Sequence, residues 1–405
     1  MGKLKEFSIT FDNSKGVYFA GEVLRGQITV DLNEPMKMRE LRLTCLGRAY
    51  VHWSELENVG RRGGRQRLET VEYSAEEGYF KHRFRLWGKD VRGEDTNCLQ
   101  PGHHTFPFDL LLPATLPSSF EGSYGYIRYW VKGTIDKPWK FDHHCKKAFT
   151  VIANLDLNKE ARAADPIRCE GEVNAGCWLC KCGGYSAIFC TNCRGCVPGE
   201  VLLLYTEVEN HTRWSNCSAE IRLKLVMSYH ADRKSRQEKK VITRLKRDRL
   251  STGNEDIWTE AFTIPPLPPS HLAGCSIIDT KYVLQFICET DGCNCDAIEF
   301  DKEIIIGTIP MCGPTPGTFM PHPLPVEPPP YYTPFSSKDT VAVAAAKAKK
   351  TKLIQQSPPS YEECVFGRVN IKDKDDTDYT QGDLVFTPMY AYYDMADQTR
   401  DDTDD

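Results

Sequence analysis

The sequence predicts an all-β protein made of two antiparallel β-sandwich domains followed by a disordered, proline-rich tail. Three observations lead to this fold class. Apolar residues alternate with polar ones through most of the chain, two landmarks recur in the same order, and the composition changes after Pro310. No long stretch has the apolar spacing of an amphipathic helix. At 405 residues the chain is long enough for two domains of ordinary size.

Period-2 alternation is clearest in three segments, and each predicts a strand with one buried face. Successive side chains of a strand point to opposite faces, so every second residue shares an environment. The buried faces are expected to hold Leu41, Leu43, Cys45, Ala49, Val51 and Trp53 in one segment, Phe7, Ile9 and Phe11 in another, and Ile221, Leu223, Leu225, Met227 and Tyr229 in the third. Many such strands between Gly and Pro turns indicate antiparallel sandwiches.

Two landmarks recur in the same order and predict that the two sandwiches are of one type. Gly21-Glu22-Val23 is echoed by Gly199-Glu200-Val201, and LPATLPSS followed by YIRYWVKGTID is echoed by IPPLPPSH followed by DTKYVLQFICE. Repetition of this kind is typical of duplicated structural units. We therefore expect an N-terminal sandwich over residues 1–153, a linker over 154–170 and a C-terminal sandwich over 171–310.

The region after Pro310 has a composition that does not support a packed core. Residues 311–405 hold 12 of the 25 prolines and carry 15 acidic against 9 basic side chains. Apolar residues are sparse there, so little burial is available to offset about 1 to 2 kcal/mol of backbone entropy per ordered residue. Residues 311–405 are therefore expected to form a disordered tail.

Charge and motif content argue against several classes of function. A net charge of -5 gives no reason to expect nucleic-acid binding, and no run of about 18 apolar residues predicts a transmembrane helix. The first residues alternate at once, so we expect no signal peptide, and the 17 cysteines are expected to be reduced. The chain has no nucleophile-elbow, phosphate-loop or zinc-protease motif. We predict that the protein is not an enzyme and uses no cofactor.

PPxY motifs in the tail predict ligands for WW domains. One motif is Pro358-Pro359-Ser360-Tyr361, and a second region fits in two overlapping registers. Consecutive prolines favour the polyproline II conformation, and the aromatic-lined groove of a WW domain accepts their rings. The predicted ligand residues are Pro328, Pro329, Pro330, Tyr331, Tyr332, Pro358, Pro359 and Tyr361. A proline-rich spacer is the alternative interpretation.

A basic stretch from His230 to Leu250 stands out in an acidic chain. Its charges are interpreted first as the solvated face of a strand. The alternative is a patch that binds anionic lipid headgroups or phosphorylated cargo, where each lysine or arginine near a membrane contributes about 1 kcal/mol. The residues of this basic patch are Arg233, Lys234, Arg236, Lys239, Lys240, Arg244, Lys246 and Arg247.

A cysteine-rich run lies at the predicted start of the second sandwich. It contains two CxxC pairs, Cys177 with Cys180 and Cys190 with Cys193. This spacing is compatible with a zinc site. We favour a β-hairpin in which the cysteines are small apolar side chains, and so predict no metal. A zinc or redox site on these four cysteines is the alternative.

The string Asp142-His143-His144-Cys145 is like the signature of protein acyltransferases. In those enzymes it belongs to a zinc-bound domain between transmembrane helices, and neither the helices nor the flanking ligands surround it here. We interpret it as a chance match in a loop between strands.

Several long segments give the chain a family resemblance. They are GVYFAGEVLRGQITVDL, LPSSFEGSYGYIRYWVKGTIDKPW, the cysteine-rich run ending in CVPGE, and IPPLPPSHLAGCSIIDTKY. Together with the PPxY motifs that follow them, these segments resemble the alpha-arrestins, or arrestin-domain-containing proteins, over essentially the whole chain.

The resemblance implies two arrestin-type sandwiches that serve as an adaptor. The implied partners are WW-domain ubiquitin ligases of the HECT type and membrane receptors or transporters as cargo. Ubiquitination of the cargo, endocytosis and endosomal trafficking are the implied outcomes, and the implied location is the cytoplasm, peripheral at the plasma membrane and endosomes. The alternative function is a zinc- or thiol-dependent regulatory protein on the same scaffold.

Overall fold

The structure, a computed structural model, describes residues 3–62, 65–88, 97–177, 180–213, 215–291, 297–312, 368–372, 376, 379–390 and 392–393. Strands dominate these residues, and their one helical element is a single 3-10 turn, Ser270–Leu272. No helix in the described part of the chain is long and apolar enough to cross a membrane. The predicted all-β fold class is confirmed.

The N-terminal sandwich packs a three-stranded sheet against a larger one. Its strands are β1 (Leu4–Phe11), β2 (Val17–Phe19), β3 (Val23–Leu32), β4 (Met36–Met38), β5 (Glu40–Arg62), β6 (Arg65–Trp87), β7 (Asn97–Leu99), β8 (Gly102–Leu111), β9 (Phe120–Glu121), β10 (Gly125–Asp136) and β11 (His143–Ile152). The small sheet has the order β1-β3-β8, and the larger has the order β2-β11-β10-β5-β6 with β9 beside β10. Strands β4 and β7 pair separately.

The C-terminal sandwich has the same two-sheet architecture with one additional edge strand. Its strands are β12 (Ile167–Cys177), β13 (Cys180–Thr191), β14 (Gly195–Cys196), β15 (Val201–Asn210), β16 (Cys217–Ala231), β17 (Lys234–Leu250), β18 (Asn254–Thr263), β19 (Ile278–Thr290) and β20 (Ile298–Ile306). One sheet has the order β12-β13-β15-β18 and the other the order β14-β20-β19-β16-β17. Strand β12 has no counterpart in the small sheet of the first sandwich.

The core follows the alternation that the sequence shows. Every residue predicted to lie on a buried face is buried, from Phe7 in β1 to Tyr229 in β16. Burying one large aliphatic or aromatic side chain contributes about 1.5 to 3 kcal/mol, so these faces account for much of the driving force for folding. Gly47 lets β10 approach β5, because a Cβ atom there would lie 2.5 Å from the ring of Tyr129.

The first repeated landmark forms the same turn in both sandwiches. Gly21 and Gly199 adopt φ values of 90° and 94°, which favour glycine. The carboxylate of Glu22 accepts the N–H of Phe19 at 2.8 Å, and that of Glu200 accepts the N–H of Val197 at 3.0 Å. The repeat is therefore a true structural duplication.

The second landmark also repeats a pair of hydrogen bonds. Tyr129 donates its hydroxyl to the carbonyl of Pro117 at 2.7 Å, and Tyr282 donates to the carbonyl of Pro268 at 2.8 Å. The serine that follows each proline segment accepts a backbone N–H from the neighbouring sheet, from Val151 to Ser119 and from Ile306 to Ser270. Each buried tyrosine thus satisfies its hydroxyl while it anchors the proline segment to the core.

Aromatic and glycine residues fill the boundary between the sandwiches. Tyr229 is fully buried and packs edge to face against Tyr124, with ring centroids 5.6 Å apart. A Cβ atom on Gly122 would come within 2.2 Å of the Tyr229 hydroxyl. Ser276 donates its N–H and its hydroxyl to Glu77 at 2.9 and 2.6 Å. The buried apolar residues of the two sandwiches form one contiguous core.

The segment between the sandwiches is packed. Thr308 fixes it at one end, since its hydroxyl donates to the carbonyl of Ala153 at 3.0 Å and accepts the N–H of Leu155 at 2.7 Å. Strand β12 already begins at Ile167, inside the predicted linker 154–170. A separate apolar cluster covers the segment, formed by Leu157, Ala163, Val197 and Ile305.

The C-terminal segment differs from the expectation of a disordered tail over 311–405. Its described residues include three short strands, β21 (Val369–Asn370), β22 (Thr380–Asp383) and β23 (Val385–Phe386). Strand β21 pairs with β23, and β22 adds a parallel strand to the edge of β11. Ile371 and Phe386 are buried. Composition averaged over the whole tail conceals these few apolar residues, so it did not predict these short strands.

Candidate interaction surfaces

The first part of the basic patch joins the two sandwiches. Lys234 of β17 forms ion pairs with Glu55 at 2.6 Å and with Glu57, both on β5. Hydrogen bonds to these carboxylates raise the pKa of Lys234, and the hydrogen bond from Lys234 lowers the pKa of each glutamate. Arg236 donates to the hydroxyl of Tyr124 at 2.8 Å and lies 4.0 Å from the centre of that ring. These cations therefore contact the N-terminal sandwich.

The second part of the basic patch surrounds a single carboxylate. Arg222 of β16 lies 2.6 Å from Glu220, and Arg244 and Lys246 lie 3.9 and 4.0 Å from the same side chain. The hydrogen bond from Arg222 is the main cause that lowers the pKa of Glu220. Arg247 stands over the ring of Trp258 at 5.4 Å. Glu220 thus offsets part of the positive charge here, and the side chains of Arg244 and Lys246 remain 57% and 65% exposed to water.

The remaining residues of the basic patch do not form a continuous positively charged surface. Arg233 is exposed at the turn between β16 and β17. Lys239 is exposed opposite Val226, whereas Lys240 is half-buried opposite Leu225. Adjacent residues of a strand point to opposite faces, so these two lysines lie on different sides of the sheet. Seven of the eight residues thus lie along β17, and Arg233 lies in the turn before it. They do not converge on one site, an arrangement that favours the solvated-face interpretation.

The structure does not bring the four candidate zinc ligands together. Cys177 pairs with Cys180 at the turn end of the β12–β13 hairpin, whereas Cys190 pairs with Arg168 near the other end. Strand β13 rises by roughly 3.3 Å per residue, so the two CxxC pairs are separated by about 30 Å. A tetrahedral zinc site places its sulfur ligands about 2.3 Å from one ion. One ion cannot bind both pairs, because the predicted hairpin holds them apart.

The second CxxC pair is buried, which disfavours ionisation of its thiols. Cys193 donates its thiol to the carbonyl of Gly195 at 3.3 Å, and burial raises its pKa to about 12. Cys190 lies on the outer face of β13 under Arg168, and burial raises its pKa as well. A thiol must ionise before it acts as a nucleophile or ligand, so these raised pKa values favour a structural role. The side chains of Cys177 and Cys180 lie outside the described residues.

The docked C-terminal segment is the largest feature that sequence reasoning missed. Strand β22 runs parallel to β11, with Thr380 opposite His144 and Asp383 opposite Lys147. Strand β2 occupies the same edge further along, beside residues 150–152 of β11. Since an open strand edge offers unpaired N–H and C=O groups, the chain's own C-terminal segment satisfies part of this edge.

A buried ion pair fastens this segment to the N-terminal sandwich. The side chain of Asp376 is completely buried, and its carboxylate lies 2.8 Å from both Lys146 and Lys132. Lys146 is 1% exposed, donates also to the carbonyl of Ile371 at 2.9 Å, and stands over the ring of Trp130 at 4.7 Å. Buried charges need such partners, because desolvation of an unpaired ion is costly. The feature of the sequence that could have indicated this ion pair is the acidic run DKDDTD at residues 373–378. The run alone does not show which lysines Asp376 would contact.

Tyrosines after β23 extend the docking toward the second sandwich. Tyr390 donates its hydroxyl to the carbonyl of Ser119 at 2.7 Å. Tyr393 donates its hydroxyl to the carbonyl of Thr308 at 2.6 Å and its N–H to the carbonyl of Pro198 at 2.9 Å. The segment thus reaches from β11 to the turn that opens the C-terminal sandwich.

The PPxY residues lie outside the described residues. This holds for every predicted WW ligand, from Pro328 to Tyr332 and from Pro358 to Tyr361. The nearest described positions are Cys312 before the first motif and Arg368 after the second. The motifs therefore connect the C-terminal sandwich to the docked segment in the order of the chain.

Within the described residues, one set of three potential metal ligands comes together. The carboxylates of Glu207, Glu209 and Glu255 lie within 4.8 Å of one another on β15 and β18. Tyr205 donates to Glu207 at 3.0 Å, and the ring of His211 lies 3.0 Å from Glu209. The set is a partly exposed acidic surface in which Glu207 and Glu209 already have hydrogen-bond partners, and we assign no metal to it.

Comparison with known proteins agrees with this architecture. Residues 7–158 match the family model of the N-terminal domain of arrestin, or S-antigen, and residues 189–311 match that of the C-terminal domain. The first match spans the N-terminal sandwich from Phe7, and the second spans the C-terminal sandwich from the last residues of β13 onward. Residues 159–188, which include β12 and most of β13, lie between them.

Individual relatives are similar over most of the chain. Arrestin domain-containing protein 17 of Caenorhabditis elegans is 30% identical over 77% of this chain and 72% of its own length. Arrestin domain-containing protein 1 of Homo sapiens is 30% identical over 79% of this chain and 69% of its own. For arrestin domain-containing protein 4 of Mus musculus the identity is 30%, over 77% and 74%.

Proposed function

The chain belongs to the arrestin-domain-containing proteins, the alpha-arrestins, and on this basis we propose that it is an adaptor that recruits WW-domain HECT-type ubiquitin ligases to membrane protein cargo. Arrestin-family proteins act in general as adaptors that bind other proteins without catalysing a reaction. In this proposal, recruitment leads to ubiquitination of a receptor or transporter, its endocytosis and its sorting at endosomes. The protein works in the cytoplasm and associates peripherally with the plasma membrane and endosomes.

The pair of PPxY regions is the observation that supports recruitment of the ubiquitin ligase. Each contains adjacent prolines followed by tyrosine at the spacing that a WW groove accepts. Between Tyr332 and Tyr361 lie 28 residues, and a flexible chain of that length spans roughly 30 Å on average. Two WW domains of one ligase can be engaged together at such a distance. Linking two contacts in this way raises the affinity by about 100-fold or more over either contact alone.

In this proposal the two sandwiches bind the membrane protein cargo. Ion pairs, a tyrosine pair and one contiguous core hold them together, so they present a fixed surface to a partner. The protein contributes proximity: it raises the effective concentration of the ligase beside lysines of the cargo.

A binding experiment with the whole chain tests the ligase step. Tyr361→Ala is expected to weaken capture of a tandem WW-domain fragment, and the combined Tyr331→Ala, Tyr332→Ala and Tyr361→Ala variant is expected to abolish it. Loss of the tyrosine empties the second pocket of the WW groove in both motifs. Isothermal titration with the purified fragment measures the affinity directly.

Tyr392→Ala is the matched control, since this tyrosine lies in the same C-terminal region without adjacent prolines. It should bind the WW fragment as the unaltered chain does. Undiminished binding by the triple variant would refute the proposed ligase step.

A further inference from the structure

The loop between β10 and β11 carries two aromatic side chains with unusually large exposure. Trp139 is 87% exposed and Phe141 is 73% exposed, the two highest values among the large exposed hydrophobic residues of the described chain. Single exposed aliphatic residues are common on protein surfaces. Two adjacent aromatic rings on one loop are uncommon, and they mark a contact surface.

The loop holds these rings outward in a defined conformation. Trp139 adopts a φ of 57°, a left-handed value that bulky residues rarely take. Asp142 closes the turn by accepting the backbone N–H of Lys137 at 3.0 Å. Phe141 stacks on Tyr379 of the docked C-terminal segment, with ring centroids 5.4 Å apart and planes inclined by 15°. Backbone strain of this kind is maintained where the surroundings fix it, and it recurs at functional positions.

Two lysines flank the rings. The two rings line an open groove of about 680 Å³ together with Lys137, Lys140, His143 and Tyr379. Asp142 accepts the loop N–H, and its charge partly offsets that of Lys137, while Asp136 pairs with Arg39 at 3.2 Å. Burial lowers the pKa of Lys137, and the charge of Lys140 lowers it further. The two lysines thus repel each other, and a bound anion would relieve this repulsion.

We propose that loop 137–141 is a membrane-contact site that places Trp139 and Phe141 in the interface of an anionic bilayer, with Lys137 and Lys140 against lipid phosphates. The amphipathic indole of Trp139 favours the headgroup region, the apolar ring of Phe141 gains from burial at its boundary, and lysines nearby gain from the negative surface potential. The rings and lysines alternate along a short loop that presents no wider apolar face, so the site fits a fluid interface better than a shaped protein partner. The site lies on a different sandwich from the basic patch of β17.

This proposal does not depend on ligase recruitment. It concerns the N-terminal sandwich and makes no use of the PPxY motifs, so either proposal can fail while the other stands.

Vesicle sedimentation of the full chain tests the site. The unaltered chain is expected to bind vesicles of phosphatidylcholine mixed with phosphatidylserine more tightly than vesicles of phosphatidylcholine alone. Replacing both lysines, Lys137→Gln and Lys140→Gln, should weaken binding to the anionic vesicles by about fivefold for each lysine. Replacing both rings, Trp139→Ala and Phe141→Ala, should weaken it by about tenfold or more.

Matched controls separate this loop from general charge and apolar exposure. Arg244→Gln with Lys246→Gln removes two cations from the basic patch, and Leu111→Ala removes an exposed aliphatic side chain that is 67% exposed. Both control variants should bind as the unaltered chain does. Circular dichroism of all variants confirms that each is folded.

Tryptophan fluorescence gives a second measurement. Emission of the unaltered chain should move to shorter wavelength with anionic vesicles, and Trp139→Phe should keep most of the binding while losing most of that shift. The proposal is overturned if the loop variants bind as tightly as the unaltered chain, if the β17 control loses as much affinity, or if the chain binds neither vesicle. Binding of soluble polyglutamate through the loop without vesicle binding would also overturn it, because the partner would then be an acidic peptide.

Discussion

Two equivalent glycines show how a single residue can have different neighbours in a duplicated turn. Gly21 and Gly199 share nearly the same backbone conformation, with φ values of 90° and 94°. A Cβ atom on Gly21 would lie 3.6 Å from Ala114, an ordinary contact. On Gly199 it would lie 2.0 Å from the carbonyl oxygen of Tyr393. A side chain at either position would adopt an unfavourable backbone conformation, but only at Gly199 would it also collide with a neighbouring atom.

We expect Gly21→Ala to lower the free energy of unfolding by about 1 to 3 kcal/mol, the cost of an unfavourable backbone conformation. Gly199→Ala should cost the same backbone term and should also displace Tyr393 from its contacts with Pro198 and Thr308. Denaturant unfolding measures the first effect, and hydrogen exchange of residues 392–393 measures the second.

Truncation of the chain after residue 367 provides the control. In the truncated protein the two alanine variants should be destabilised equally, because Tyr393 is no longer present. The account of this turn is wrong if Gly199→Ala leaves the exchange of residues 392–393 unchanged in the full chain.

At the scale of elements, β22 is a strand that is stabilised by contacts with the N-terminal sandwich and not by the residues of its own sequence. Its four residues, Thr380–Asp383, have little apolar content, and three of them are exposed. What holds them is the edge of β11 together with the ion pairs of Asp376 to Lys146 and Lys132. A strand of this kind shows no alternation of apolar and polar residues, so the sequence did not predict it.

We therefore expect Asp376→Asn to release β22. The substitution leaves Lys146 buried without a compensating charge, and breaking a buried ion pair in this way costs about 3 to 5 kcal/mol. Release of the segment returns the lysine to water and limits the loss for the whole protein. Hydrogen exchange should therefore accelerate at least about tenfold at Thr380–Asp383 and His144, while global unfolding changes less.

Asp383→Asn is the comparison variant, because this carboxylate lies on the same strand but is exposed. It should leave exchange in β11 and β22 unchanged. If Asp376→Asn also leaves exchange unchanged, the buried ion pair does not hold the segment.

At the scale of the whole molecule, the boundary between the sandwiches depends on close approach. Gly122 lies where a Cβ atom would be 2.2 Å from the hydroxyl of Tyr229 and 2.8 Å from the ring of Phe120. Both rings are fully buried, so neither can move without disturbing the shared core. The relative position of the two sandwiches is set by contacts of this size.

We expect Gly122→Ala to destabilise the protein by about 1 to 3 kcal/mol, the usual cost of overpacking a close-packed interior. Gly78→Ala is the matched control, since a Cβ atom there meets nothing within 4 Å. It should be neutral or slightly stabilising in thermal unfolding. Equal stability of the two variants would show that the boundary is loosely packed.

The sequence predicted the fold more fully than it predicted the surfaces. Alternation identified the buried faces of β1, β5 and β16, and the repeated landmarks identified the duplication, because both are local patterns repeated along the chain. The partners of Lys234 and Lys146 could not be predicted, since Glu55 and Asp376 are distant in sequence and reach them only through the fold. The residues of the basic patch lie in one continuous stretch of the sequence. The sequence does not show that some of them, such as Lys234, pair with distant residues. The PPxY motifs stay a prediction from sequence alone.

Proximity labelling in cells tests the central claim most directly, by comparing the neighbours of the unaltered chain with those of the variant that carries Tyr331→Ala, Tyr332→Ala and Tyr361→Ala. If the motifs recruit the ligase and the sandwiches bind cargo, the variant should lose WW-domain ubiquitin ligases from its neighbours and keep its membrane proteins. Retention of the ligases at the level of the unaltered chain would contradict the account.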